Sequence, residues 1–149
     1  MRRHPSLAPL SREHLPALMA GRALRDLPAD AGEAEGRAAA AAFLAFWRSD
    51  GSAHFRGEEE LLLPWFSRHA QVDRPEIVRM LLEHAELRGR IAAVAERLAE
   101  GGAPTAAALR DLGTRFMAHV RLEEDVVFPM MEAAVPPEAL EGPSGPGLL

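Results

Sequence analysis

The stretch 54–64, HFRGEEELLLP, places a histidine four residues before a glutamate and ends in a proline. The stretch 119–129, HVRLEEDVVFP, repeats this spacing 65 positions later. Residues i and i+4 lie on the same face of an α-helix, so the imidazole and the carboxylate of each copy point to the same side. The repeat therefore predicts two helices that each present a histidine and a glutamate to a common centre.

A second, shorter repeat accompanies the first. The pair Glu13-His14 recurs as Glu83-His84, 70 positions later. The chain thus carries a segment with EH, a segment with HxxxEE, and then the same two again. This order predicts two helical hairpins related by a pseudo-two-fold axis.

Prolines and glycines divide the chain into four long segments whose apolar residues recur at helical spacing. We expect helices over about 11–27 and 33–68, a third from Asp73 to the break EGGAP at 100–104, and a fourth over about 104–134. Loops of a few residues between helices imply antiparallel neighbours. The predicted fold class is all-α, an up-down-up-down antiparallel four-helix bundle.

Local signals add expectations about the ends and the irregular points of these helices. Ser11 and Asp73 are candidate N-caps, and Pro75 suits the first turn of its helix. Pro64 lacks a backbone donor and predicts a kink or a stop. A short turn at 137–140 is expected in the last segment. The predicted divisions are an N-terminal arm (1–6), the bundle (7–134) and a Pro/Gly-rich tail (135–149).

Composition limits the possible functions. A net charge of −5 with a pI near 5.7 argues against binding of nucleic acid or of an anionic membrane surface. With no cysteine, any metal must be bound through nitrogen and oxygen. The most apolar run, 38–47, is too short to span a bilayer, and the N-terminus lacks the apolar core of a signal peptide, so we expect a cytoplasmic protein.

The two repeats together predict one metal centre on the bundle axis. Four imidazoles and two carboxylates suit a first-row transition metal, and two carboxylates able to bridge suit a pair of metals, iron before zinc or copper. Coordination positions would remain open for oxygen, peroxide or another small ligand. The candidate metal ligands are His14, His54, Glu58, His84, His119 and Glu123.

A single histidine on a helix is more often a surface, capping or satisfied interior residue, and only the repetition raises the metal hypothesis above that interpretation. His4 and His69 lie outside the pattern and are expected at the surface. Glu124 is the alternative ligand on the last helix. The other acidic residues near the motifs are expected to face solvent or to accept hydrogen bonds, in some cases from the histidines: Glu13, Glu59, Glu60, Glu83 and Asp125.

Four motifs in order, REHLPAL, HFRGEEELLLP, LLEHAELRGRI and HVRLEEDVVFP, give the chain a family resemblance. Over about residues 7–134 it resembles the hemerythrin-like, HHE cation-binding domain proteins. The resemblance implies a four-helix bundle around a non-haem di-iron centre, with two iron ions as cofactor and the six candidate residues at the ligand positions. The two glutamates would be the bridging ligands. Ferritin-like di-iron proteins use a different spacing, Glu-x-x-His, and fit less well.

The sequence departs from the oxygen-carrying members of that family at Met80, where they have a further histidine one turn before the third-helix ligand. In those members the last carboxylate follows its histidine by five residues, which would select Glu124, whereas the internal repeat favours Glu123. The leading hypothesis is a protein that binds or senses O2 or a related small ligand, or responds to iron or redox state, with a possible protein partner. The alternatives are a di-iron oxidase or a peroxide- or nitric-oxide-consuming enzyme with an external reductant, and a metal-free helical interaction domain.

Overall fold

The computed structural model describes residues 3–136 and residue 139, and in that part of the chain all regular structure is helical. Helix α1 is Ala8–Arg25 and helix α3 is Pro75–Ala99. Helix α2 runs over 33–67 and consists of Glu33–Phe46, Trp47–Gly51, Ser52–Gly57, Glu58–Leu62 and Leu63–Ser67. Helix α4 runs over 106–134 and consists of Ala106–Leu122, Glu123–Val127 and Phe128–Ala134. The segments Trp47–Gly51, Glu58–Leu62 and Glu123–Val127 are π-helical and the others α-helical.

The four helices form the predicted up-down-up-down bundle. Helix α1 packs along α4 and beside α2, while α3 packs beside both α2 and α4. Each helix is therefore flanked by its neighbours in sequence, and the ring closes through the contact of α1 with α4. The two π segments that begin at Glu58 and Glu123 lie at the 65-residue offset of the repeat, so the pseudo-two-fold relation extends to the backbone.

The helix starts differ from the predicted caps. Helix α1 begins at Ala8 with a proline in its first turn, so Ser11 lies inside the helix and its hydroxyl donates instead to a carboxylate of α4. The residue that precedes α3 is Arg74 rather than Asp73, and Pro75 opens the helix as predicted. In both places the fixed φ of proline suits the first turn without a side-chain cap. Only Thr105, before α4, accepts a capping bond, from the amide of Ala108.

Pro64 does not stop helix α2, which continues to Ser67, and the alternative expectation of a kink stays a prediction. The π segment before it ends with the Leu63 amide bonded to the Glu58 carbonyl, five residues back. Pro64 then occupies the first turn of the next α-helical segment, where a missing backbone donor removes no helix hydrogen bond. Pro129 follows its own π segment in the same way. A change of hydrogen-bond register thus lets both helices continue through proline.

The buried apolar side chains form two clusters with a polar layer between them. The first cluster is Ala17, Leu24, Leu27, Ala40, Phe43, Leu44, Phe55, Leu87, Ile91, Val94, Leu109, Leu112, Phe116 and Val120. The second is Leu7, Leu10, Leu62, Trp65, Phe66, Ile77, Met80, Leu122, Val127, Phe128, Met131 and Val135. Along every helix the candidate ligands fall where one cluster gives way to the other. The core therefore encloses them above and below.

Two glycines set the spacing of α1 and α4. A Cβ added at Gly113 would lie 2.5 Å from the carbonyl oxygen of Gly21 and 2.5 Å from the amide nitrogen of Arg25. A Cβ at Gly21 would lie 2.8 Å from the Met117 side chain. The two backbones approach so closely that position 113 has no room for a side chain.

Described residues of both chain ends contact the bundle. Arg3 donates to the carboxylates of Glu124 and Glu132 on α4, and Ala139 packs on the second apolar cluster. Of the predicted turn at 137–140 only Ala139 is described, its amide donates to the Pro136 carbonyl, and the division into arm, bundle and tail stays a prediction. Among the described helices, none combines the length and the apolar character needed to cross a membrane.

We predict that Gly113→Ala destabilises the fold by about 1–3 kcal/mol, because the added methyl group collides with backbone that cannot rotate away. Intrinsic helix propensity alone would make the same change favourable by about 1 kcal/mol. Gly89→Ala is the matched control, since Gly89 lies exposed in α3 with nothing within 4 Å of the added Cβ. Chemical denaturation should give opposite signs for the two variants, and a stabilised Gly113→Ala would contradict the close approach.

Candidate metal centre

The six side chains singled out by the repeats meet in the polar layer of the bundle. Glu58, His84, His119 and Glu123 are 0% exposed, His14 is 2% exposed and His54 is 8% exposed. Each of the four helices contributes one histidine, and α2 and α4 each add a glutamate one turn later. The i,i+4 spacing thus places imidazole and carboxylate side by side, as the sequence indicated.

The histidines of α1 and α2 form one half of the centre. Nε2 of His14 lies 2.9 Å from Oε2 of Glu123, and Nε2 of His54 lies 3.0 Å from Oε1 of Glu58. The two Nε2 atoms are 3.0 Å apart. Four donor atoms from four different side chains therefore surround one point.

The histidines of α3 and α4 form the other half. Nε2 of His84 lies 3.1 Å from Oε2 of Glu58 and 3.2 Å from Oε1 of Glu123. Nε2 of His119 lies 2.7 Å from the same Glu123 oxygen. This half repeats the first, with two imidazoles and one oxygen from each carboxylate.

The two glutamates belong to both halves. Oε1 of Glu58 and Oε2 of Glu123 face the first pair of histidines, and their other oxygens face the second pair. In each half the four donor atoms lie within 4.8 Å of one another, an arrangement that can hold a metal ion. Carboxylates that offer one oxygen to each half have the geometry of bridging ligands.

The buried polar atoms of the centre test whether a metal fits. Both Glu58 oxygens, Oε2 of Glu123 and Nε2 of His119 are buried and make no hydrogen bond. Leaving a buried carboxylate unsatisfied costs several kcal/mol, because its solvation is lost without replacement. The neighbouring imidazole nitrogens are close, yet they do not satisfy these atoms geometrically. A cation between them would, and the donor set of nitrogen and oxygen suits a first-row metal.

Outside the centre, the histidines of α1 and α2 are held by carboxylates of neighbouring helices. Nδ1 of His14 lies 2.6 Å from Oε1 of Glu124, and Nδ1 of His54 lies 2.5 Å from Oε2 of Glu13. A carboxylate on Nδ1 favours the tautomer whose proton is on that nitrogen, so Nε2 is left free to bind a metal. Arg3 in turn bonds to Glu124.

The histidines of α3 and α4 are also bonded, on the side away from the centre, to carboxylates of neighbouring helices. Nδ1 of His84 lies 2.8 Å from Oε1 of Glu59, which also accepts from Arg88 at 2.6 Å. Nδ1 of His119 lies 3.3 Å from Oε1 of Glu83. The four outer bonds run from α1 to α4, α2 to α1, α3 to α2 and α4 to α3, so they close a ring around the bundle.

The negative charge of this layer raises the pKa of His14, His54 and His84. Burial alone would lower the pKa of His14, but the close Glu123 carboxylate and the bond to Glu124 outweigh it and raise the pKa to about 11. The pKa of His54 rises to about 10 against its burial, chiefly through the charge of Glu58, and that of His84 also rises to about 10, through Glu123 and Glu58. The centre therefore attracts positive charge strongly.

The carboxylates show the reverse effect. Burial would raise the pKa of Glu58, but the surrounding imidazoles hold it well below its ordinary value. Burial and the neighbouring Glu58 charge would both raise the pKa of Glu123, yet His119 and His14 lower it to about 2. Both carboxylates are thus anionic and available as metal ligands at neutral pH.

The structure also places the residues about which the sequence left alternatives. Glu124 lies outside both donor groups and bonds to His14, Ser11 and Arg3. Met80 is fully buried in the apolar cluster. His4 and His69 are half-buried rather than exposed, and both lie away from the centre. Sequence reasoning missed Arg3 and Arg88, because arginine contacts with distant glutamates leave no pattern in the chain.

One cavity reaches the centre from the surface. It has a volume of about 290 Å³ and is bounded by α1, α2 and α4. His54 and Glu123 lie at its inner end, and Glu13 and Asp50 lie in its wall. The 8% exposure of His54, the largest in the donor set, fits this opening.

Comparison with known proteins gives one match. No curated protein and no solved structure matches the chain. The family model for the hemerythrin HHE cation-binding domain matches residues 7–131, a span that includes α1, α2, α3, most of α4 and every donor residue of both halves. The chain therefore belongs to the hemerythrin HHE cation-binding domain family.

Proposed function

We propose that this protein holds two iron ions in a non-haem dinuclear centre and through them binds or senses O2 or a related small ligand, or responds to iron or redox state. The observation that carries the proposal is the pair of four-donor groups that share Glu58 and Glu123. Membership in a cation-binding family supports it independently.

The donor set supports iron and two ions rather than one. Two imidazole nitrogens and two carboxylate oxygens per group suit iron, and the lack of any thiolate argues against a structural zinc site of the cysteine type. A single ion would leave half of the buried donors unsatisfied. When bound, such a pair of ions supplies a redox-active centre with coordination positions left for a small ligand.

The protein side chains prepare the centre in three ways. Glu58 and Glu123 supply anionic oxygens to both positions. The outer carboxylates orient the imidazoles, which increases their basicity as ligands. The apolar clusters above and below exclude bulk water, which strengthens the electrostatic attraction of the donors for a cation.

Met80 bears on which small-ligand function the centre performs. It lies one turn before His84 and is fully buried in the second apolar cluster. The histidines and glutamates alone give the two metal positions equal numbers of protein donors. This equality argues for open positions on both ions, and it extends the proposal beyond oxygen storage to sensing and redox response.

We predict about two irons per chain after loading with ferrous iron under anaerobic conditions, and a loss of both in Glu58→Ala, because both positions share that carboxylate. Glu60→Ala is the matched control, since Glu60 is exposed in the same π segment. Elemental analysis of protein purified without chelator or nickel measures the stoichiometry. A folded wild-type protein that refuses iron, or a Glu58→Ala variant that retains two, would contradict the proposal.

Metal loading should release protons, and the apparent affinity should rise with pH. At pH 7 the raised pKa values of His14, His54 and His84 favour retention of protons by this group of imidazoles in metal-free protein, whereas a metal binds the neutral imidazole. Their contribution to the stability of the metal-free fold is fully present below the unfolded pKa near 6.5 and is lost as the pH rises through about 10 to 11. Calorimetry in buffers of different ionisation enthalpy counts the released protons, and pH-independent loading would refute this expectation.

Met80→His should add a fifth protein donor to the position next to His84, because residues four apart share a helix face. We expect tighter metal retention against a chelator and an altered absorption spectrum on exposure of the reduced, iron-loaded protein to oxygen. Met80→Leu is the control, because it removes the thioether without adding a metal ligand. Identical spectra for the histidine variant and the wild type would show that position 80 does not reach the centre.

A further inference from the structure

The cavity that ends at His54 and Glu123, here called the entry pocket, is apolar through most of its depth. Aromatic and aliphatic side chains of α1, α2 and α4 form most of its lining, and its solvent-exposed residues include both apolar and polar side chains. The apolar wall consists of Pro16, Ala17, Phe46, Ala53, Phe55, Phe116 and Val120, and the polar residues at its outer end are Glu13, Ser49 and Asp50.

The pseudo-symmetric counterpart of the entry pocket is closed. A depression of about 220 Å³ lies between α3 and α4, but no member of either donor group lines it. Leu87 stands there at the position equivalent to Ala17 and fills the interior. Across its opening, Glu86 bonds to Arg115 at 3.1 Å. The equivalent positions on the open side are Pro16 and Asp50, which form no such bridge.

The backbone also departs from the repeat beside the entry pocket. The π segment Trp47–Gly51 has no counterpart in α4, where the residues 65 positions later are α-helical. This segment supplies Ser49, Asp50 and Gly51 to the pocket. A Cβ at Gly51 would lie 2.7 Å from the Trp47 ring, so the segment packs tightly where it forms the wall. The donors of the centre are symmetric, whereas access to them is not.

The size of the entry pocket exceeds what a diatomic ligand requires. A dry cavity of about 150 Å³ lined by aliphatic and aromatic side chains is enough to bind benzene. The entry pocket, at about 290 Å³, accommodates a ring of that size with a substituent. Phe46, Phe55 and Phe116 give the lining an aromatic surface against which an apolar body can pack.

The charge at the mouth selects among such molecules. The Asp50 carboxylate accepts from the Ser49 hydroxyl at 2.9 Å and, among the described residues, pairs with no basic side chain. The Glu13 carboxylate also belongs to the lining and bonds to His54. Two acidic groups around an apolar opening attract a cationic head group and repel an anionic one.

We propose that the entry pocket binds a small organic cation, with an apolar body against the phenylalanines of the lining, an ammonium group at Asp50 and the apolar end toward His54. This proposal names a ligand class for one side of the centre. It rests on the proposed function only in assuming that a metal lies next to His54 and Glu123 at the inner end of the pocket. The pocket itself is formed by protein side chains and binds with or without iron.

Three probes of similar size test the proposal: benzylamine, neutral toluene and anionic benzoate. Isothermal titration calorimetry on metal-free and on iron-loaded protein should show saturable binding of benzylamine, weaker binding of toluene and the weakest binding of benzoate. Methyl-resolved NMR should show shifts at Ala17 and Val120 in the pocket, with Leu87 of the closed side unchanged. Benzoate binding as tight as that of benzylamine, or shifts confined to other sites, would overturn the proposal.

Variants that fill the entry pocket test whether benzylamine binds there. Ala17→Leu copies the residue that fills the closed side and should weaken benzylamine by roughly tenfold or more. Ala42→Leu, on the exposed face of α2, is the matched control and should leave affinity unchanged. If Ala17→Leu does not fold, Ala53→Phe narrows the exposed opening without entering the core. Full affinity in whichever filling variant folds would overturn the proposal.

Charge is tested separately from volume. Asp50→Asn should weaken benzylamine by roughly two- to fivefold, as expected for an exposed ion pair, and leave toluene unchanged. Asp30→Asn, another exposed acid, is the control. Iron content measured on the same samples separates the two proposals. Iron loading without probe binding refutes the pocket alone, and probe binding by protein that fails to load iron refutes the dinuclear centre alone.

Discussion

Two carboxylates buried on the bundle axis are the constraint on which the rest of the structure depends. Glu58 and Glu123 are wholly excluded from solvent, and both remain anionic because imidazoles surround them. An isolated buried carboxylate would cost too much for a domain of this size to remain folded. The four histidines and any bound cation offset that cost. The two apolar clusters then serve both to stabilise the fold and to keep water from competing for the same oxygens.

The paired acidic and histidine residues of the motifs follow from helix geometry. Consecutive residues on a helix point about 100° apart, so one of two neighbours faces the axis and the other faces an adjacent helix. Glu58 points inward while Glu59 reaches His84 of α3. His14 points inward while Glu13 reaches His54 of α2. The dipeptides EE and EH therefore supply both an inner donor and an outer support, and every helix orients a ligand of its neighbour.

Sequence periodicity was sufficient to predict the four helices, their antiparallel order and the meeting of His14, His54, His84 and His119, because each depends on local spacing or on the repeat. The fate of Pro64 was not predictable in this way, since a π segment is a cooperative change in hydrogen bonding with no residue signature. The caps at Ser11 and Asp73 were wrong because proline elsewhere in each first turn decided where the helix begins. Arg3 and Arg88 act through long-range contacts that spacing does not encode.

The donor residues of the centre are symmetric, whereas the cavities beside them are not. The donors to the two halves are equivalent, so ligand identity alone gives no reason for the halves to differ. The difference lies in the surrounding wall: Ala17 lines the entry pocket where Leu87 occupies the equivalent position, and Asp50 pairs with no described basic side chain where Arg115 forms an ion pair. A repeated bundle can thus keep its centre unchanged while small changes in the wall make one half more accessible than the other. Substitutions in the wall leave the buried charges balanced.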